Sequence, residues 1–176
     1  MAEMTDINLQ DYIRDIPDFP KDGIVFKDIT PLLGSAEAFR AAINTMADEF
    51  RDKEIDVITA AEARGFLFAT PLAMELGVGV VPIRKPGKLP YKKRSYSYEL
   101  EYGTDTLEMH VDGIGEGQNV LVVDDLLATG GTVEACCNMI EQSNAKVVAC
   151  AFLIELQFLN GADRLKPHPV YSVIQY

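Results

Sequence analysis

Four runs of the chain are apolar almost throughout and rich in Val and Ile: IDVIT (55–59), VGVVPI (78–83), NVLVV (119–123) and KVVACAFLI (146–154). A strand with one wet face alternates apolar and polar residues, so unbroken runs of this length predict strands covered on both faces, as in a parallel sheet. Between them, Phe39, Ile43, Met46 and Phe50 recur at helical spacing after a candidate Ser35 cap, and Val133, Cys136, Cys137 and Ile140 do so after Gly130-Gly131. Strands alternating with helices predict βαβ units with right-handed crossovers, hence an α/β fold with an open, mostly parallel sheet flanked by helices. In ARGFLFATPLAMELG, a helix from about Gly65 to Leu76 has to kink at Pro71 or start after it, with Gly77 as its stop.

Two segments break the alternation. PDFPKDGIVFKDITPLL (17–33) is rich in Pro and Gly, with Phe19, Val25 and Phe26 set among charges. In YKKRSYSYELEYGTDTLEMHV (91–111), Tyr96, Tyr98, Leu100 and Tyr102 alternate with Ser97, Glu99, Glu101 and Gly103 at strand period. This is either a hairpin hung on the sheet, turning near Gly103-Thr104-Asp105, or a flap over a site. No repeat or linker divides the 176 residues, so one domain is expected, burying roughly 70% of its unfolded surface.

The three cysteines, Cys136, Cys137 and Cys150, lie in apolar runs without metal-ligand spacing, which suits buried thiols in a reducing compartment. No leader pattern or membrane-length apolar run is present, so a cytoplasmic protein is expected. A net charge of -11 argues against nucleic acid and anionic membrane as partners. The positive charge that exists is concentrated, because RKPGKLPYKKR places Arg84, Lys85, Lys88, Lys92, Lys93 and Arg94 within eleven residues. Such a run is either a solvated surface loop or the cationic wall of a site for a small, highly charged anion.

VLVVDDLLATGGT (120–132) joins an apolar strand to two adjacent carboxylates, Asp124 and Asp125, and then to a small-residue loop without a lysine. In an open parallel sheet, ligands sit beyond the carboxyl ends of the strands, where these residues fall. If a helix starts near Thr129, the N–H groups from Ala128 to Thr132 are unpaired donors at its positive end, and the Thr129 and Thr132 hydroxyls add two more. That set suits a phosphate monoester. The carboxylates only accept hydrogen bonds, which suits a sugar diol beside the phosphate, and together these describe a ribose 5-phosphate. There is no GxxxxGK[ST] or GxGxxG, and the acidic pair of a receiver domain leaves ATGGT unexplained. An isolated Asp-Asp would read as a solvated strand end.

This stretch resembles the 5-phosphoribosyl 1-diphosphate (PRPP) motif of the type I phosphoribosyltransferases, in its Leu-Leu form the adenine-specific branch. EARGFLFA, PIRKPGKLP, SYSYELEYG and IELQFLNGADRL are similar to that family in order and spacing. The resemblance implies the type I phosphoribosyltransferase fold, with an N-terminal hood of about residues 1–34 and a flap of about 90–110. It implies a cradle for the 5-phosphate at Ala128, Thr129, Gly130, Gly131 and Thr132, and acceptors for the ribose hydroxyls at Asp124 and Asp125. Pyrophosphate would fall to Glu62, Ala63, Arg64 and Gly65, a loop that often holds a cis non-proline peptide, and to Arg84, Lys85 and Lys88, with Arg84 reaching across a homodimer. Ala60-Ala61 stands before Glu62 where the family often has a glycine.

Adenine would lie between Phe26 and Leu126, its edge read by backbone near Val25 and Lys27. Glu101 would share the proton of the base, with Tyr102 beside it on the flap. The implied reaction converts adenine and PRPP to AMP and pyrophosphate, with Mg2+ entering on PRPP rather than on dedicated protein ligands. His110 and His168 fit no catalytic or metal pattern. Two alternatives stay open: a transferase for guanine, hypoxanthine or xanthine, and a non-catalytic PRPP-binding regulator.

Overall fold

The computed structural model describes residues 7–99 and 103–176. These divide into two compact units, one within residues 1–45 and one within 46–176.

In the first unit, β1 (Arg14–Pro17) and β2 (Val25–Asp28) pair antiparallel, from Arg14 opposite Asp28 to Pro17 opposite Val25. The intervening turn is held by the Gly23 N–H donating to the Asp18 carboxylate at 2.8 Å. Phe19 packs edge-on against Phe26 with ring centroids 5.2 Å apart, yet Phe19 is exposed and Phe26 only half-buried, so the pair is not core. α1 (Thr30–Gly34) is a single short turn. α2 (Ala36–Phe50) begins where Ser35 Oγ accepts from the Ala38 N–H at 3.2 Å, the cap expected from sequence, and crosses from the first unit into the second.

The second unit is built on five parallel strands in the order β4-β3-β7-β8-β9: β3 (Val57–Ala61), β4 (Gly79–Ile83), β7 (Asn119–Leu127), β8 (Lys146–Glu155) and β9 (Val170–Gln175). The central strands bury nearly every residue, which is why their sequences carry no alternation. β9 is an edge strand with one fully buried residue, Ile174, and its mixed sequence VYSVIQ gave no periodic signal.

α3 (Gly65–Leu76) runs through Pro71 and stops at Gly77, whose φ of 72° is left-handed. The expected choice between kink and later start is met by a helix that continues, held by the buried face of Phe68, Ala69, Leu72 and Ala73. α4 (Gly131–Glu141) starts two residues later than Thr129, because Gly130 turns the chain with φ 82° before helical geometry begins. α5 (Gly161–Arg164) is one turn.

The hairpin is β5 (Lys93–Glu99) and β6 (Thr104–His110), paired from Lys93 opposite His110 to Glu99 opposite Thr104. Tyr96 and Arg94 fasten it to α4: Asn138 Nδ2 donates to Tyr96 Oη at 3.0 Å, and Arg94 Nη1 donates to the Gln142 carbonyl at 3.0 Å, a cation at a helix C-terminus.

Candidate active site

The chemistry gathers at the carboxyl end of β7. That strand extends four residues past the apolar run, so both aspartates belong to it and pair alongside β8, Asp124 opposite Phe152. Asp124 Oδ1 accepts from the Asp125 N–H at 2.9 Å. Burial, reinforced by the neighbouring carboxylate of Asp125, pushes the Asp124 carboxyl well above its ordinary range.

Beyond Leu127 the chain turns through Ala128 and Thr129 to the left-handed Gly130 and into α4. The fit here is close. A β-carbon on Gly130 would sit 2.8 Å from the Gly161 carbonyl oxygen, so the loop is stacked on the backbone of the segment that opens α5. Glycine is required by both φ and space.

The second wall follows β3. The Glu62–Ala63 peptide is cis, as the resemblance implied, and α3 begins immediately after it. A β-carbon on Gly65 would lie 2.9 Å from Asp124 Oδ1 and 3.1 Å from the Val123 carbonyl, so this glycine lets α3 close onto β7. Arg64 Nε donates to Asp125 Oδ2 at 2.6 Å, and Arg84 Nε donates to the Glu62 carboxylate. That guanidinium, beside Glu62, holds its carboxyl below the usual range.

The basic run divides: Lys88 and Lys92 lie exposed in the loop, while the other four cations have partners. Besides Arg84 and Arg94, Lys93 Nζ donates to Glu108 at 2.8 Å, and Lys85 Nζ donates to Asp105, whose carboxyl this ammonium holds below its ordinary value. Asp105 also accepts from Tyr98 Oη at 3.1 Å, and Tyr98 Oη lies 3.2 Å from Thr132 Oγ1. A chain of polar contacts thus runs from Lys85 through the hairpin to the end of the glycine loop.

These walls enclose a cavity of about 530 Å³. It is lined by Glu62, Ala63 and Arg64 after β3, by Lys85 after β4, and by every residue from Asp124 through Thr132. The structure therefore brings the acidic pair, the glycine loop and two cations together. Gly65 is buried behind them as a packing residue, while Arg84 and the exposed Lys88 lie outside the lining. Val25, Phe26 and Lys27 are on β2 in the first unit, with Lys27 Nζ engaged by Asp15 at 2.7 Å. Glu101 and Tyr102 lie outside the described residues.

Five lining residues were missed from sequence: the apolar Ala61, Leu107, Leu127 and Val133, and one charged residue. Arg164 of α5 reaches the cavity from beside the glycine loop. The absence of a lysine from that loop was the available signal, since an anion held there calls for a cation from elsewhere, but sequence alone does not say from where.

Residues 32–175 match the family model described as the phosphoribosyl transferase domain. A curated relative from Rhodopirellula baltica, an adenine phosphoribosyltransferase, is 59% identical over 170 residues, covering 97% of this chain and 82% of its own length. The crystal structure of adenine phosphoribosyltransferase from Thermoanaerobacter pseudethanolicus aligns with a TM-score of 0.93 at 52% identity, over 96% of this chain and all of that one. The enzyme from Saccharomyces cerevisiae, solved with an imino-altritol bisphosphate and adenine, aligns with a TM-score of 0.88 at 39% identity, over 94% of this chain and 96% of that one. With a family model spanning the sheet and relatives matching nearly end to end, the chain belongs to the phosphoribosyltransferase family and, within it, to the adenine phosphoribosyltransferases.

Proposed function

We propose that the chain transfers the 5-phosphoribosyl group of PRPP to adenine, giving AMP and pyrophosphate, a purine salvage reaction. The observation that carries this reading is the single cavity in which an acidic pair, a glycine loop at a helix N-terminus, and the cations Arg64 and Lys85 converge. The loop N–H groups take the 5-phosphate, and Asp124 and Asp125 take the ribose hydroxyls. As a ring nitrogen of adenine bonds to C1 of the ribose, the C1–O bond breaks and its electron pair leaves with pyrophosphate. Arg64, Lys85 and Lys88 meet that growing negative charge, so the protein contributes mainly position and field.

The base is read by β2, where the half-exposed Phe26 ring offers a stacking face and the backbone at Val25 and Lys27 reads the amino edge. Leu126 lines the ribose end of the cavity. Glu101, with Tyr102, receives the proton that adenine gives up. Magnesium fits this site as a passenger on PRPP, where the carboxylates of Asp124 and Asp125 in the lining are the hard oxygen donors that would meet it. When bound, the ion neutralises charge on the departing pyrophosphate.

The reading includes a homodimer in the cytoplasm. Arg84 lies outside the lining of its own chain's cavity and is partly exposed, which suits delivery to a partner's pyrophosphate. Three buried free thiols suit a reducing compartment, and no described helix is long and apolar enough to cross a membrane. The test is release of pyrophosphate from PRPP and magnesium with adenine, hypoxanthine, guanine, xanthine and orotate in turn. Adenine alone should support rapid release; turnover with a 6-oxopurine instead, or with no base, would overturn the proposal.

A further inference from the structure

The glycine loop holds no cation of its own, and the electrostatics of its helix do not make up the difference. A helix N-terminus contributes about half a positive charge, whereas a phosphate monoester carries about -1.5 to -2 near neutral pH. The cavity is also acidic at its floor, with Asp124 and Asp125 in the lining. Additional fixed positive charge is needed close to the loop.

Arg164 stands where that charge is needed. It lines the cavity, and its guanidinium lies against Gly131: a β-carbon there would meet Nη1 at 3.3 Å and Nη2 at 3.7 Å. Glu134, in the first turn of α4, accepts from Nε at 2.6 Å and so fixes the orientation of the group. The Nε edge is taken by Glu134, and the Nη end is the one turned to the loop. Two features of the backbone keep this arrangement in place. Gly130 and Gly161 pack the loop and the start of α5 against one another, and α5 then carries Arg164 back over Gly131.

We propose that Arg164 is a binding residue for the 5-phosphate, held by Glu134 so that its terminal nitrogens meet the phosphate oxygens as a planar fork. This deepens the function proposed above and rests on it. A planar guanidinium suits two phosphate oxygens at once, and lysine reproduces its charge but not its fork.

The test isolates the phosphate by comparing AMP with adenosine. Calorimetric affinities for both ligands would be measured on the full-length chain and on Arg164→Ala, Arg164→Gln and Arg164→Lys. The ratio of AMP to adenosine affinity should fall about 10- to 100-fold in Arg164→Ala, as for loss of a charged hydrogen bond. Arg164→Gln, which keeps the stem and a donor, should fall nearly as far, and Arg164→Lys should recover part of the loss. Adenosine affinity should stay within about twofold, which a general disturbance of the site would not allow. An unchanged ratio in either neutral variant, or equal losses for both ligands, overturns the role of Arg164 while leaving the proposed reaction standing. If the unmodified chain does not prefer AMP to adenosine, the reading of the cavity falls and this inference with it.

Discussion

Tyr98 Oη and Thr132 Oγ1 lie 3.2 Å apart, joining the hairpin to the last residue of the glycine loop. Because Tyr98 gives its one proton to the Asp105 carboxylate, the Thr132 hydroxyl is the donor to Tyr98. A bound phosphate asks for that same proton, and both hydroxyls can reverse to supply it. Tyr98→Phe should therefore lower stability by about 1 kcal/mol and change ribose 5-phosphate affinity little, whereas Thr132→Val should weaken that affinity about tenfold. Denaturant unfolding and calorimetry on both variants check the split.

Glu101→Ala should slow the chemical step roughly 100-fold, typical of losing one acid–base group, while PRPP affinity stays near its original value. Glu99, an exposed residue at the end of β5, is the control and should cost much less. Single-turnover rates are the appropriate measurement, and equal small losses would remove Glu101 from the mechanism.

Gly130→Ala should harm the chain far more than Gly131→Ala. The first places a methyl 2.8 Å from the backbone carbonyl of Gly161 at a left-handed φ; the second meets only a side-chain end, the Arg164 guanidinium at 3.3 Å, which can give by a few tenths of an ångström more readily than backbone can. A stability loss of about 2 kcal/mol or more is expected for Gly130→Ala, with loss of ribose 5-phosphate binding. Thermal unfolding of the two variants decides it.

Asp124→Asn should make the unliganded protein more stable at neutral pH. The native carboxyl titrates above its ordinary range because burial opposes its charge, so native stability falls as pH rises from that range through the elevated native value. Asparagine has no charge to bury and keeps an oxygen that can accept from the Asp125 N–H. The stability difference between the two proteins should grow over that interval and be constant below it, while ribose binding is lost. Melting temperature as a function of pH is the measurement.

Mixing an Arg84→Ala chain with one disabled at both Asp124 and Asp125 should restore up to about one working site per mixed dimer, since both defects can fall in one site. Mixed dimers that form without regained activity would exclude a shared site.

How much of this could be read from the sequence follows from which forces leave a local mark. β3, β7 and β8 announced themselves because burial on both faces demands apolar residues at nearly every position. β4 was legible from its apolar run VGVVPI, yet it is an edge strand with only Ile83 buried, so the expectation that this run is covered on both faces does not hold for it. The edge strand β9 escaped because half-covered positions tolerate Ser172 and Tyr171 alike. The acidic pair and glycine loop are contiguous in the chain and so were legible as a unit. Arg64 with Asp125, or Arg164 over Gly131, joins residues far apart in sequence, and no spacing rule encodes such pairs. α4 was placed two residues early because helical donors were counted from the loop's first hydroxyl, while the left-handed turn at Gly130 delays the helix.

Arg64 on Asp125, Arg84 on Glu62 and Lys85 on Asp105 together make the site an internal salt before any substrate arrives. Each cation already has a tethered counter-ion at intramolecular concentration. A stray inorganic anion must therefore displace a built-in carboxylate with nothing else to hold it, and is at a disadvantage. A substrate anchored at several points breaks the same pairs cooperatively, so the paired charges act as a filter in favour of multivalent anions over simple ones.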